Sequence, residues 1–125
     1  MSAAILQGVP ATTLDTDIWI DLPARQYMRI VNLCLRQGAV MRANTVVDLS
    51  DGSVVNFLYE VHGLRSFRRE YRQAHRIPWL GAKVAVLPLK RILTSKRWVG
   101  RPKDLAHIPL IEQTMKLQRR LRRHG

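Results

Sequence analysis

The spacing of apolar positions changes several times along this chain, and each change marks an element. Residues 14–21, Leu14-Asp15-Thr16-Asp17-Ile18-Trp19-Ile20-Asp21, alternate β-branched and aromatic residues with polar ones, which predicts a strand. Residues 23–37 switch to helical spacing, with Tyr27, Ile30, Val31, Cys34 and Leu35 facing a core and Arg25, Arg29 and Arg36 facing solvent. Pro23 suits the first helical position and Gly38 the end. The β-rich runs 45–50 and 53–61 flank Asp51-Gly52, a hairpin signal. A two-residue loop there would pair Ser50 with Ser53 and Val47 with Asn56.

Further along, residues 64–74 read as a basic helix with Leu64, Phe67 and Tyr71 on one side. Residues 76–80 and 83–87 suggest a short hairpin around Gly81. Pro88 opens a helix whose buried stripe is Leu89, Ile92 and Leu93, and Gly100 ends it. The next helix starts at 101–104, restarts at Pro109, and carries Leu110, Leu117 and Leu121 as its stripe. At the other end, residues 2–7 predict a short helix closed by Gly8 and Pro10. Helices and strands in this mixture give an α+β class. Neither a repeat nor a linker divides the chain, so one domain over 1–125 is expected.

Charge changes this picture more than composition does. With 21 Lys and Arg against 9 Asp and Glu, the net charge is +12, which favours polyanionic partners. A hydrophobic content of 46% suits a real core. Cys34 is the sole cysteine, which excludes an internal disulfide framework and a cysteine zinc site and suits a buried thiol. His62, His75, His107 and His124 lack metal-ligand spacing. No apolar run approaches the ~18 residues of a membrane span, and the N-terminus lacks a signal-peptide pattern, so a cytoplasmic protein without a membrane partner is expected.

The candidate chemistry begins with Asp15 and Asp17, two residues apart on one strand face and about 7 Å apart along it. Paired carboxylates repel each other unless a cation such as Mg²⁺ neutralises them; a solvated strand end is the plainer alternative. Lys96 falls on the buried stripe of its helix and needs an anion, either a neighbouring carboxylate or a ligand phosphate. The helix start at 101–104, with Arg101 and Lys103, could hold a phosphate or be a simple helix start. The tail Arg119-Arg120-Leu121-Arg122-Arg123-His124 is exposed cationic surface, either solvated or in contact with RNA or DNA. Trp79 and Trp98 read as core or rim aromatics, and His62 beside Gly63 as a turn residue.

Gly8-Val9-Pro10-Ala11-Thr12-Thr13-Leu14-Asp15-Thr16-Asp17, followed by 86–96 and Gly100-Arg101-Pro102-Lys103-Asp104-Leu105, resembles the minimal nucleotidyltransferases of the DNA polymerase beta-like superfamily. This branch includes enzymes of abortive-infection and toxin–antitoxin systems, and the resemblance spans residue 2 to about residue 121. It implies a mixed sheet flanked by helices, with a C-terminal helical segment. It also implies Mg²⁺-dependent transfer of a nucleoside monophosphate from an NTP to a protein or RNA acceptor, with two metal ions. Asp15 and Asp17 match its first two metal ligands, and Asn56 stands where the third carboxylate belongs. Ser2 matches the second residue of its Gly-Ser pair, while Met1 stands where the glycine would be. Lys96, Arg101 and Lys103 would offset phosphate charge. A strand precedes this helix in that family, so the sheet is expected to lack its first strand and to expose an edge open to oligomerisation. The rival expectation is a non-catalytic basic module that binds a partner toxin, antitoxin or nucleic acid.

Overall fold

The computed structural model describes residues 1–11, 15–79 and 81–124. Expectations that fall on Thr12, Thr13, Leu14 and Leu80, or on the side chains of Trp79 and His124, lie outside the described residues. The chain is mixed α+β, in the order α1 (Ser2–Leu6), β1 (Asp15–Trp19), α2 (Ala24–Arg36), β2 (Val40–Ala43), β3 (Val46–Asp48), β4 (Val54–Leu58), α3 (Phe67–Arg72), β5 (His75–Trp79), β6 (Ala82–Val86), α4 (Leu89–Val99) and α5 (Pro102–His124). These elements gather into two compact units. One holds residues 1–2 and 15–60, the other residues 3–11 and those from 61 onward. No helix among the described residues is long and apolar enough to cross a membrane.

The first unit is a four-stranded mixed sheet in the order β1-β4-β3-β2. β1 runs parallel to β4, whereas β4, β3 and β2 are antiparallel neighbours. A parallel pair needs a crossover, and α2 with the β2–β3 segment supplies it. Val47 and Phe57 on one sheet face join Tyr27 and Val31 of α2, with Ile20 and Ala39, in a buried cluster. The edge of the Tyr27 ring meets Phe57 at 5.3 Å between centroids, and its hydroxyl donates to the Asn44 carbonyl. Burial of such side chains is worth about 1.5–3 kcal/mol each. Cys34 is half-buried at the margin of this core. Leu35, expected inside, is 40% exposed, because it lies about 100° round the helix from Cys34.

The hairpin loop is longer than the Asp-Gly signal suggested. Leu49 N–H donates to the Ser53 carbonyl, leaving Ser50, Asp51 and Gly52 as a three-residue turn. Asp51 Oδ1 accepts from Ser53 N–H at 2.9 Å, and Gly52 takes the positive φ of 88° that such a turn needs. Val46 therefore faces Asn56 and Asp48 faces Val54, one residue away from the expected register. Pro23 caps α2 rather than occupying its first turn.

In the second unit, β5 and β6 form the expected hairpin. α3 is shorter than its 64–74 reading and starts after Ser66. Leu89, Ile92 and Leu93 are buried on α4, and Gly100 ends that helix in the left-handed region with φ 66°. α5 runs unbroken through Pro109 instead of restarting there. Its buried stripe also differs from the expected one. Leu117 and Leu121 are exposed, while Asp104, Ile111 and Thr114 are buried and His107 and Gln118 half-buried. Those five residues recur at three- and four-residue steps, so the packed face of α5 is largely polar. Hydrogen bonds satisfy it: Gln118 Nε2 donates to the Gln7 carbonyl, and Thr114 Oγ1 to that of Leu110.

Candidate metal and phosphate site

The parallel register of β1 and β4 sets the geometry of the acidic pair. Asp15 lies opposite Val54 and Asp17 opposite Asn56. Paired residues share a face, so Asp15, Asp17 and Asn56 project together, away from the face that carries Val47 and Phe57. Both aspartates are exposed. The Asn56 amide nitrogen donates to Asp17 Oδ1 at 3.0 Å. Ser2 stands beside the same strand: its hydroxyl donates to the Asp15 carbonyl at 3.0 Å and lies 3.4 Å from Thr16 Oγ1.

The register also adds an acid that the two-residue loop would have turned away. Because Asp48 pairs with Val54, which pairs with Asp15, it shares the open face. Two strand spacings put it about 10 Å from Asp15. Its carboxylate is held by Arg42, Nη2 to Oδ1 at 2.6 Å and Nε to Oδ2 at 3.1 Å. Arg42 sits at an irregularity in the β2–β3 ladder between Met41 and Ala43.

These donors suit one hard cation. Mg²⁺ binds through one or two carboxylates and fills its octahedron with water and phosphate oxygens, which Asp15 and Asp17 can support. A second ion has less to hold it. Asn56 offers one neutral oxygen, and its nitrogen is the atom turned toward Asp17. Among the described residues, no three His, Cys, Asp or Glu side chains form a metal-binding group.

The remaining candidates, Lys96, Arg101 and Lys103, belong to the second unit. Of the two partners open to Lys96, the structure shows a carboxylate: Nζ is 3.3 Å from Asp104 Oδ1. The ammonium also donates to His107 Nδ1 at 3.2 Å, which requires a neutral imidazole. Burial, then the Lys96 charge, pushes the His107 pKa down. Asp104 closes the start of α5, accepting from Arg101 N–H at 3.2 Å and Arg101 Nε at 2.8 Å. Burial opposes ionisation of Asp104, but hydrogen bonds from Arg101 and Lys96 outweigh it and bring its pKa to about 2. Lys103 is exposed, as are Arg119, Arg120, Arg122 and Arg123.

Sequence reasoning missed both buried acids, Asp104 and Glu70. Glu70 is 2% exposed and bound by Arg91, Nε to Oε1 at 2.9 Å and Nη2 to Oε2 at 2.7 Å. Arg65 N–H donates to the same carboxylate at 3.0 Å. An acid within an Arg-rich helix gives no signal of burial, because solvated charge pairs look alike in sequence. Compared with protein-family models, curated proteins and solved structures, the chain matches none.

Proposed function

We propose that this chain is a nucleotidyltransferase-like module that binds a nucleoside triphosphate through a divalent cation held by Asp15 and Asp17. The reading is carried by the β1–β4 register, which sets Asp17 against Asn56, the position where the resembled family carries its third carboxylate. Ser2 beside β1 is in keeping with a phosphate-facing role. The acidic pair would neutralise one Mg²⁺ and so orient the triphosphate. Asn56 is neutral and accepts no proton at neutral pH, so it cannot activate the acceptor as a carboxylate would. Binding of the Mg²⁺-nucleotide is retained in this reading, while transfer to a protein or RNA acceptor is slow or lost. Calorimetry with an NTP and Mg²⁺ tests it. A metal-dependent binding event should be present in the parent and vanish in Asp15→Ala and Asp17→Ala; its absence from the parent, or its survival in both variants, overturns the reading.

The exposed arginines at the end of α5 favour a second reading, a basic module that binds nucleic acid without chemistry. In that case Arg119 and Arg120 substitutions abolish RNA or DNA binding, Asp17→Ala is neutral, and the affinity falls steeply with salt.

A further inference from the structure

A cavity of about 290 Å³ in the second unit collects four cationic side chains, Arg65, Arg69, Lys90 and Arg91, and one acid, Glu70. Two stretches build it, the α3 region and the first half of α4. Glu70 and Arg91 form a closed pair on its wall, with side chains 3% and 21% exposed. Their charges cancel, and the bidentate bond fixes the Arg91 guanidinium in one orientation. Arg91 spends Nε and Nη2 on Glu70, so further N–H groups of its fork remain to donate. Among the described residues, the side chains of Arg65, Arg69 and Lys90 have no ion-pair partner. Three uncancelled positive charges thus border one small concavity, and their mutual repulsion is relieved by an anion.

The geometry points to a second anion site here, one that takes the phosphate chain of an inorganic or nucleoside polyphosphate. A phosphodiester or a carboxylate brings one negative charge and leaves the cluster unbalanced. A single terminal phosphate carries about two, and a diphosphate more, which matches three cations. The cavity falls at the small end of ligand pockets, about 300–1,000 Å³. Among the described residues no aromatic side chain lines it, so none of them stacks on a base. Arg91 is held ready by Glu70, which lowers the ordering cost of binding. The site needs neither Asp15 nor Asp17 and no metal ion.

The test is calorimetry of the full chain with inorganic pyrophosphate in buffer containing EDTA. Saturable one-site binding is expected, weakened at least about tenfold in the double variant Arg69→Gln/Lys90→Gln, since each charge-assisted bond is worth a factor of that order. Both side chains are exposed, so the double variant keeps its fold, which circular dichroism verifies. Arg91 is left intact because its loss would strand Glu70. The α5 variant Arg122→Gln/Arg123→Gln should bind as the parent does. Absence of saturable binding overturns the site, as does an equal loss in the α5 variant, which would assign the effect to general surface charge. Inorganic triphosphate and a nucleoside triphosphate should bind alike; a nucleoside preference above about tenfold overturns the assigned ligand class. Because EDTA removes the cation that Asp15 and Asp17 need, failure here leaves the nucleotidyltransferase-like reading standing, and failure of that reading leaves this site standing.

Discussion

Asn56 donates its side-chain amide to Asp17 across the parallel β1–β4 pair at 3.0 Å. Where a third carboxylate would repel Asp17, the chain carries a neutral group that binds it. The pair is therefore at rest without a metal ion, which distinguishes this face from one that requires an ion to hold it together.

Asn56→Asp reverses that balance. Repulsion replaces a hydrogen bond, and the variant should be about 1–3 kcal/mol less stable than the parent in EDTA. Saturating Mg²⁺ or Mn²⁺ should return about 2–3 kcal/mol at a hundred times the dissociation constant. Thermal melts with and without metal measure both, and a variant indifferent to metal would remove the proposed cation site.

Arg91→Ala should be far more damaging than Arg42→Ala. The first strands Glu70, whose side chain is 3% exposed, and such a loss costs about 3–5 kcal/mol. The second breaks a pair with 61% and 35% exposed side chains, worth at most about 1 kcal/mol. Urea unfolding of the two variants ranks them, and equal midpoints would contradict the burial of Glu70.

Acid should destabilise the chain in two steps. The His107 pKa is lowered in the fold, so the unfolded chain binds its proton first and stability falls as pH drops below about 6.5. The Asp104 pKa is lowered to about 2, so its contribution is complete above about pH 4 and is lost as pH falls toward 2. That shift is equivalent to about 2 kcal/mol. Denaturation at pH 8, 5 and 3 should show both steps, with His107→Gln flattening the upper one and Asp104→Asn reducing the lower one, which Glu70 shares because its hydrogen bonds from Arg91 lower its pKa too. An upper step that survives His107→Gln, or a lower one that Asp104→Asn leaves unchanged, belongs to another group.

Gly63→Ala should cost more than Gly52→Ala. Both glycines take positive φ, 81° and 88°, where a side chain costs about 1–2 kcal/mol. A Cβ on Gly63 would also fall 2.6 Å from Trp98 Cβ, whereas nothing lies within 4 Å at Gly52. Trp98 stacks on His62 with ring centroids 5.8 Å apart, so the first substitution also displaces that stack. Urea midpoints compare the two, and an emission change abolished by Trp98→Phe reports the displacement.

Much of the first unit was legible because its signals are periodic. Alternation marked β1, and helical spacing marked α2 around Tyr27 and Val31. The inward placement of Lys96 followed from its distance to Leu89, Ile92 and Leu93, and its side chain is 13% exposed. β2 went unread because Arg42 interrupts the alternation at a ladder irregularity. The position of Asp48 depended on a turn one residue longer than its dipeptide suggested. On α5 the leucines pointed to the wrong face. The packed side is made by Asp104, His107, Thr114 and Gln118, whose burial rests on partners such as Lys96 and Gln7 that lie far off in the chain. A polar side chain discloses its partner only in three dimensions.

The three-residue turn at 50–52 acts as a phase setting for the sheet. Drawing Ser50 out of it to pair with Ser53 while β4 stays in place would exchange inside for outside along β3, bringing Val47 into the water and Asp48 into the oil. Engineering of this loop should therefore keep Leu49 opposite Ser53, since a change in length that holds that pair leaves β3 in phase and one that slips it by a residue inverts the strand.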